Sequence, residues 1–259
     1  NENWSRRWDG KDSEILMEQK YQDYDSNEHI NWLINAFADE RYIRINNKPL
    51  LLIYNASGIP DLRKLIISWR DVVKKAGIED IFLCSVKSIH NKISDIDAIE
   101  LGFDSVVEFI PSSEIIIPRK FSGLPRYYFN KIYNTFLEKT KLNKWFNVLP
   151  LTIVHDYNKL ASINIHKEKY QVKTFPCVIP SWDNSARKKV SASIQNNDAQ
   201  IFSNWLSSSV SKVKEYNNEE KIVFINAWNE WAEGCHLEPD LKNGRKFLEA
   251  VKKVLDSDK

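Results

Sequence analysis

IVFINAWNEWAEG, residues 222–234, is the stretch on which the reading of the whole chain turns. Its first half is a run of β-type residues. On an extended backbone Asn226, Trp228 and Glu230 share one face. Its second half gathers Trp228, Asn229, Glu230, Trp231, Glu233 and Gly234 where an ordinary strand would simply turn. If the chain stayed extended, Glu230 and Glu233 would point to opposite sides, about 10 Å apart at about 3.3 Å per residue. They meet only if the backbone bends after Glu230. Gly234 permits the unusual dihedral such a bend needs, and Pro239 argues against a long helix.

The strand signal recurs outward from this stretch. LLLIY (50–54), IFLCS (81–85) and SVVEFI (105–110) are short apolar runs suited to strands buried on both faces, and another strand is expected near 174–179. Helical stripes stand between them. SNEHINWLINAFADERY (26–42) has Ser26 as N-cap and places Ile30, Leu33, Ile34, Phe37 and Ala38 together. PDLRKLIISWRDVVKKAG (60–77) opens at Pro60, aligns Leu62, Leu65, Ile66, Trp69, Val72 and Val73, and stops at Gly77. Segments 199–215 and 245–255 also read as helices.

Alternating strands and helices indicate parallel β/α construction. Pattern alone leaves an open doubly wound sheet and a (β/α)8 TIM-type barrel both open. The barrel is preferred because polar and aromatic clusters follow strand after strand: Tyr54 and Asn55, Glu108, SWDNSAR (181–187) and NEWAE (229–233). Only five or six strands are visible. NENWSRRWDG (1–10) crowds Trp4, Arg6, Arg7, Trp8 and Asp9 together with no strand or helix before them. Residues 1–259 are therefore expected to form a single domain, the C-terminal portion of a barrel whose first strands and helices lie upstream.

Composition narrows the function. An apolar fraction of 42% supports a core, and a net charge of +2 spread along the chain leaves no basic stripe, so nucleic acid is not the expected partner. No apolar run approaches the roughly 18 residues of a membrane span. The polar start does not read as a signal peptide. Cys84, Cys177 and Cys235 lie far apart without a CxxC pair, which suggests reduced thiols, a cytoplasmic setting and no zinc or other metal. With only 7 Gly and no GxGxxG, a Rossmann-type nucleotide fold is disfavoured, and no cofactor is expected. The triplets DYD (23–25) and DID (95–97) arise easily by chance among 35 acidic residues.

Two converging carboxyls cannot both stay ionised comfortably. One is pushed up and can donate a proton while the other remains a base. Glycosidic bond cleavage needs that division of labour, and tryptophan rings suit the C–H faces of sugars. The competing reading is an Asn229 N-cap with acids in the first turn of a helix.

The residues quoted so far carry a resemblance. NAWNEWAEGCHLEPD (226–240) is similar to the C-terminal signature of the WbsX family, related to glycoside hydrolase family 99. NENWSRRWDG resembles that family's central motif, SWDNSAR a third element and GFDSVVEF (102–109) a looser fourth. The resemblance implies a (β/α)8 barrel acting on an oligosaccharide or polysaccharide, often of bacterial surfaces. It further implies that Glu230 is a base taking the proton of the substrate's own 2-hydroxyl, and that Glu233 is the acid. Where the hydrolases have His, Ala232 stands here, which weakens transfer of their substrate preference.

Further candidates for sugar contact are Trp4, Arg6, Trp8, Asp9, Tyr54, Asn55, Glu108, Trp182, Asp183, Asn184, Arg187, Asn226, Trp228, Asn229, Trp231, His236 and Glu238. Bland roles compete: an arginine pairing with Asp9, an Asp-Asn turn held by Arg187, a cap at Glu238. His155 and Asp156 invite a triad, but no serine nucleophile motif accompanies them. Trp69 and Trp205 sit on apolar stripes and read as core, whereas Trp32 lies opposite its stripe. Three functions remain in play: a glycoside hydrolase, a glycosyltransferase of lipopolysaccharide or O-antigen synthesis, and a non-catalytic glycan-binding protein.

Overall fold

The computed structural model describes residues 3–6, 11–21, 26–111, 124–142, 149, 151–167, 170–188 and 190–257. The elements run β1 (Trp4–Arg6), β2 (Lys11–Met17), α1 (Ser26–Phe37), β3 (Arg44–Ile45), β4 (Lys48–Ile53), α2 (Leu62–Lys75), β5 (Phe82–Val86), α3 (Asp95–Leu101), β6 (Ser105–Val107) and α4 (Leu124–Lys139). They continue with β7 (Leu151–Asp156), α5 (Tyr157–Ile165), β8 (Thr174–Phe175), β9 (Cys177–Val178), β10 (Trp182–Asp183), β11 (Val190–Gln195), α6 (Ala199–Lys212), β12 (Phe224–Ile225), β13 (Asn229–Glu230), β14 (Cys235–His236) and α7 (Lys246–Ser257).

The parallel strands follow one another in chain order. β4 pairs with β5, β5 with β6 and β6 with β8, with β3 as an antiparallel edge beside β4. The ladder then passes along the chain at Pro176, which has no N–H to give. Residues before it pair with β6, and those after it, through β9, pair with β12. The Pro176 carbonyl accepts from Phe224 N and the Val178 carbonyl from Asn226 N, which carries the acid-bearing segment into the same arc. The result is an α/β half-barrel. The other strands that eight-fold closure requires are not among the described residues, so the expectation of a (β/α)8 barrel is met only in part.

Residue alternation explains the layers. Ile53, Leu83 and Val106 point outward and pack with Ile30, Phe37, Ile66, Trp69 and Val73 of α1 and α2. Leu50, Phe82, Cys84, Val86, Val107 and Phe175 point to the inner side of the arc. Each strand is thus apolar on both faces, as expected of a parallel sheet covered on both sides. Arg70 of α2 ties the strand starts together. It bonds Asp80 at 2.8 Å and Asp104 at 2.7 Å, while Asp104 also accepts from Leu83 N.

A separate core joins α5, α6 and α7 to β9 and to Trp182 and Ile194. Asp198 caps α6 by accepting from the N–H groups of Gln200 and Ile201. Between β6 and β8 the chain makes α4, β7 and α5, and β7 pairs in parallel with β11 in a second sheet, edged by antiparallel β10. Trp69 and Trp205 are buried and Trp32 is exposed, as their positions on the stripes suggested. Within the opening motif Trp4–Arg6 is itself a strand, paired antiparallel with β2.

Candidate active site

Two hairpins build the site. One is β13, a 3-10 turn at Trp231–Glu233, and β14; the backbone does bend after Glu230. Gly234 takes φ +54°, a left-handed conformation costly to residues with a Cβ, and an added Cβ there would meet Asp183 backbone and side chain at about 3.3 Å. No α-helix follows Asn229, so the N-cap reading does not describe this segment. The other hairpin is β10–β11, whose connecting turn carries Arg187. Ser181 Oγ donates to the Gly234 carbonyl and locks the hairpins together.

Arg187 Nη1 lies 3.1 Å from Glu233 Oε1 and 3.6 Å from Glu230 Oε1. The two carboxylates therefore lie within 4 Å of one nitrogen. They are unequal: the Glu233 side chain is 17% exposed and that of Glu230 44%. Burial pushes the Glu233 carboxyl above its ordinary value, aided by the charge of Glu230 and opposed by Arg187 and Lys188. An acid whose proton affinity is raised beside a better-solvated carboxylate is an arrangement for proton transfer.

Two tryptophans share the hairpin with the acids. Trp228 and Trp231 are each about half exposed. Trp231 stacks on His236, ring centroids 3.7 Å apart, and its indole N–H donates to Glu238 Oε2 at 2.7 Å. His236 Nε2 is 3.1 Å from Asp240 Oδ2. Against the burial that would raise it, hydrogen bonds from Asn243 and His236 hold the Asp240 carboxyl down at about 2. Asp240 was not foreseen; only its four-residue spacing from His236 hinted at it. His236 and Glu238 thus hold Trp231 in place. Asn229 is exposed beside Trp228, and its backbone pairs with His236.

Other candidates fall elsewhere. Trp182 is packed in the core and offers no open ring face, and Asn184 is buried with its Oδ1 accepting from Ala192 N. Asp183 accepts from Ser193 Oγ and Ser185 N. These three shape the hairpin that presents Arg187; the strand-end pattern could not separate holding a loop from touching a ligand. Arg6 bonds Glu14 across the β1–β2 pair at 3.0 Å, and Trp4 is exposed on that hairpin. Trp8 and Asp9 lie outside the described residues, as does DYD.

Tyr54 meets Phe109 edge-on, and Asn55 accepts from Ser57 Oγ. Asn226 donates to the Ile110 carbonyl at 2.8 Å and its carbonyl accepts from the Cys235 thiol. Glu108 is buried and accepts from Lys167 and from the Tyr170 hydroxyl, partners about sixty residues away that no local motif announced. Among the described residues no group of three or more His, Cys, Asp or Glu is placed to hold a metal ion. No helix there is long and apolar enough to cross a membrane.

Comparison with known proteins bears on the family and the fold. The protein WxcX of Xanthomonas campestris pv. campestris, in two strains, is 29% identical over 257 residues, 98% of this chain and 34% of WxcX. The chain spans about a third of the length of these relatives. The GH99 endo-alpha-mannosidase of Bacteroides thetaiotaomicron superposes with a TM-score of 0.50 at 13% identity, covering 89% of this chain and 60% of that one. Its complex with bis-tris-propane gives 0.50 at 14%, with 92% and 66% covered. At such identity the likeness is one of fold. The family described as Glycosyltransferase WbsX matches residues 1–251, and the chain belongs to that family.

Proposed function

We propose that the chain is the acid-bearing part of a carbohydrate-active enzyme that cleaves α-linked glycosidic bonds of a bacterial surface polysaccharide, or of its lipid-linked precursor, in the cytoplasm. The observation that carries this reading is the pair Glu230 and Glu233 facing one guanidinium nitrogen on a hairpin that also bears the half-exposed Trp228 and Trp231.

Glu233, the more buried acid, protonates the leaving oxygen. Glu230 takes the proton of the substrate's 2-hydroxyl, whose oxygen attacks the anomeric carbon and expels the leaving group. The resulting 1,2-anhydro sugar is opened by water that Glu233, now a carboxylate, deprotonates, while Glu230 returns its proton to the 2-oxygen. Anomeric configuration is retained without an enzymic nucleophile, a variant of two-carboxylate chemistry that draws on no metal or organic cofactor. The indole faces take the sugar's C–H surfaces.

A second reading, transfer of a sugar to a growing glycan, is favoured by the family's description. The full-length protein, offered a panel of α-mannosides, rhamnosides and O-antigen fragments, separates them. Glu230→Gln and Glu233→Gln should each abolish sugar release while glycan binding persists. Transfer from a nucleotide sugar that neither substitution affects would overturn the hydrolytic reading. Binding without turnover in the unsubstituted protein would mark a glycan-binding protein.

A further inference from the structure

The net charge of +2 hides an uneven spread. Residues 112–150, the first part of the excursion between β6 and β8, hold seven Lys or Arg against two Asp or Glu, a formal charge of +5. The other 220 residues therefore sum to −3. The same 39 residues carry eight of the chain's 31 aromatic side chains, so the basic stretch is also aromatic beyond an even share.

The helix in this stretch, α4, turns an apolar stripe away from the fold. Its packed side is narrow. Asn130 and Leu137 are buried there, and Asn134 exchanges hydrogen bonds with the Leu149 backbone at 2.9 and 3.0 Å. Phe129, Ile132, Tyr133 and Phe136 fall within about 100° of arc on another side, the spacing of one helical face. Phe129, Ile132 and Phe136 are 63%, 69% and 57% exposed, and the Phe129 ring stacks on Tyr133 with centroids 6.4 Å apart. None of these belongs to the three cores found among the described residues. Lys139 borders the stripe and Lys141 follows the helix, and both are exposed. An apolar face left to water is unfavourable, and a contiguous one marks an interaction surface.

We infer that this face of α4 docks on the surface of an anionic lipid bilayer. The apolar side chains enter the boundary between headgroups and acyl chains, and the lysines meet lipid phosphates. Charge decides between occupants. A second copy of the chain on the same face would set +5 against +5, which opposes self-association. A nucleic acid strand would call for cations among the rings, whereas Lys131 falls on the far side of the helix from the stripe. Nothing in this docking depends on the reaction of Glu230 and Glu233.

Cosedimentation of the full-length protein with lipid vesicles tests it. The protein should pellet with vesicles of phosphatidylcholine and phosphatidylglycerol, only weakly with phosphatidylcholine alone, and less at about 0.5 M salt than at about 0.05 M. Phe129→Ser together with Phe136→Ser should lower the partition at least about tenfold with Tm unchanged, since both rings are exposed. Lys139→Glu together with Lys141→Glu should weaken binding to the mixed vesicles and leave binding to phosphatidylcholine as it was. Ile67→Ser, at a similarly exposed apolar position on α2, should change nothing. The Glu230→Gln, Glu233→Gln double variant should pellet as before, even if the proposed reaction is wrong. No pelleting with the mixed vesicles, pelleting indifferent to Phe129 and Phe136, a dimer undone by the same two substitutions, or displacement of the vesicles by a single-stranded RNA would each overturn it.

Discussion

Glu108 and the Glu230–Glu233 pair are both carboxylates just past parallel strands, yet their surroundings differ. The Glu108 side chain is 6% exposed and takes two donors of its own, Lys167 and Tyr170. Burial, with the charge of Glu108 next, drives the Tyr170 phenol up, so that hydroxyl keeps its proton and stays a donor. The acid pair shares a single Arg187 nitrogen, leaving lone pairs open toward solvent. A carboxylate saturated by its own chain is part of the frame. A pair left half-satisfied retains capacity for a substrate proton.

The largest test of that contrast is Glu233→Gln. It should lower sugar release by about 10³-fold, within the usual contribution of general acid catalysis, with unfolding unchanged at neutral pH to within about 1 kcal/mol. Glu108→Gln should do the reverse. Removing one side of a buried pair should cost about 2 kcal/mol in urea unfolding, reduced from the fully buried case because Lys167 remains partly solvated. Turnover lost with stability intact in Glu108→Gln would break the contrast. Gly234→Ala should cost about 1 kcal/mol from φ +54° alone, plus contact with Asp183, and it should misalign Glu233 and lower turnover as well.

The smallest effect is on pH dependence. Because the folded Glu233 carboxyl lies above its unfolded value, its favourable contribution is complete at pH below the unfolded value, about 4.3 for Glu, and is lost as pH rises through the folded one. Glu233→Gln should therefore gain Tm relative to the unsubstituted chain at pH 7, compared with pH 4. Arg187→Ala should move Glu233 further up, readable in a carboxyl ¹³C titration.

Much of the half-barrel was legible because its strands announce themselves twice over, apolar on both faces and followed by a stripe with caps. Prediction and structure agree within a few residues for α2 and β5. The bend after Glu230 was legible from Gly234. The β6-to-β8 segment was not. On α4 Phe129, Ile132 and Phe136 stand exposed while Asn130 is buried, so its periodicity points away from its packed face. β7 is six residues whose burial alternates irregularly. The roles within SWDNSAR could not be divided either, since Trp182 on β10 buries its ring and Arg187 on the following turn projects, and one polar signature spans both.

The long excursion between β6 and β8 has a kinetic consequence. Ser105 bonds the Lys173 carbonyl across 68 residues of chain. Closing so long a loop costs only about 0.6 kcal/mol more per doubling of length, but the whole entropy must be lost before any ladder bond between these strands forms. The β4–β5 register spans about half that separation. The sheet should therefore zip from its amino-terminal strands and join its two portions last. A Phe175→Leu substitution, on the strand that joins last, should speed unfolding while barely slowing refolding.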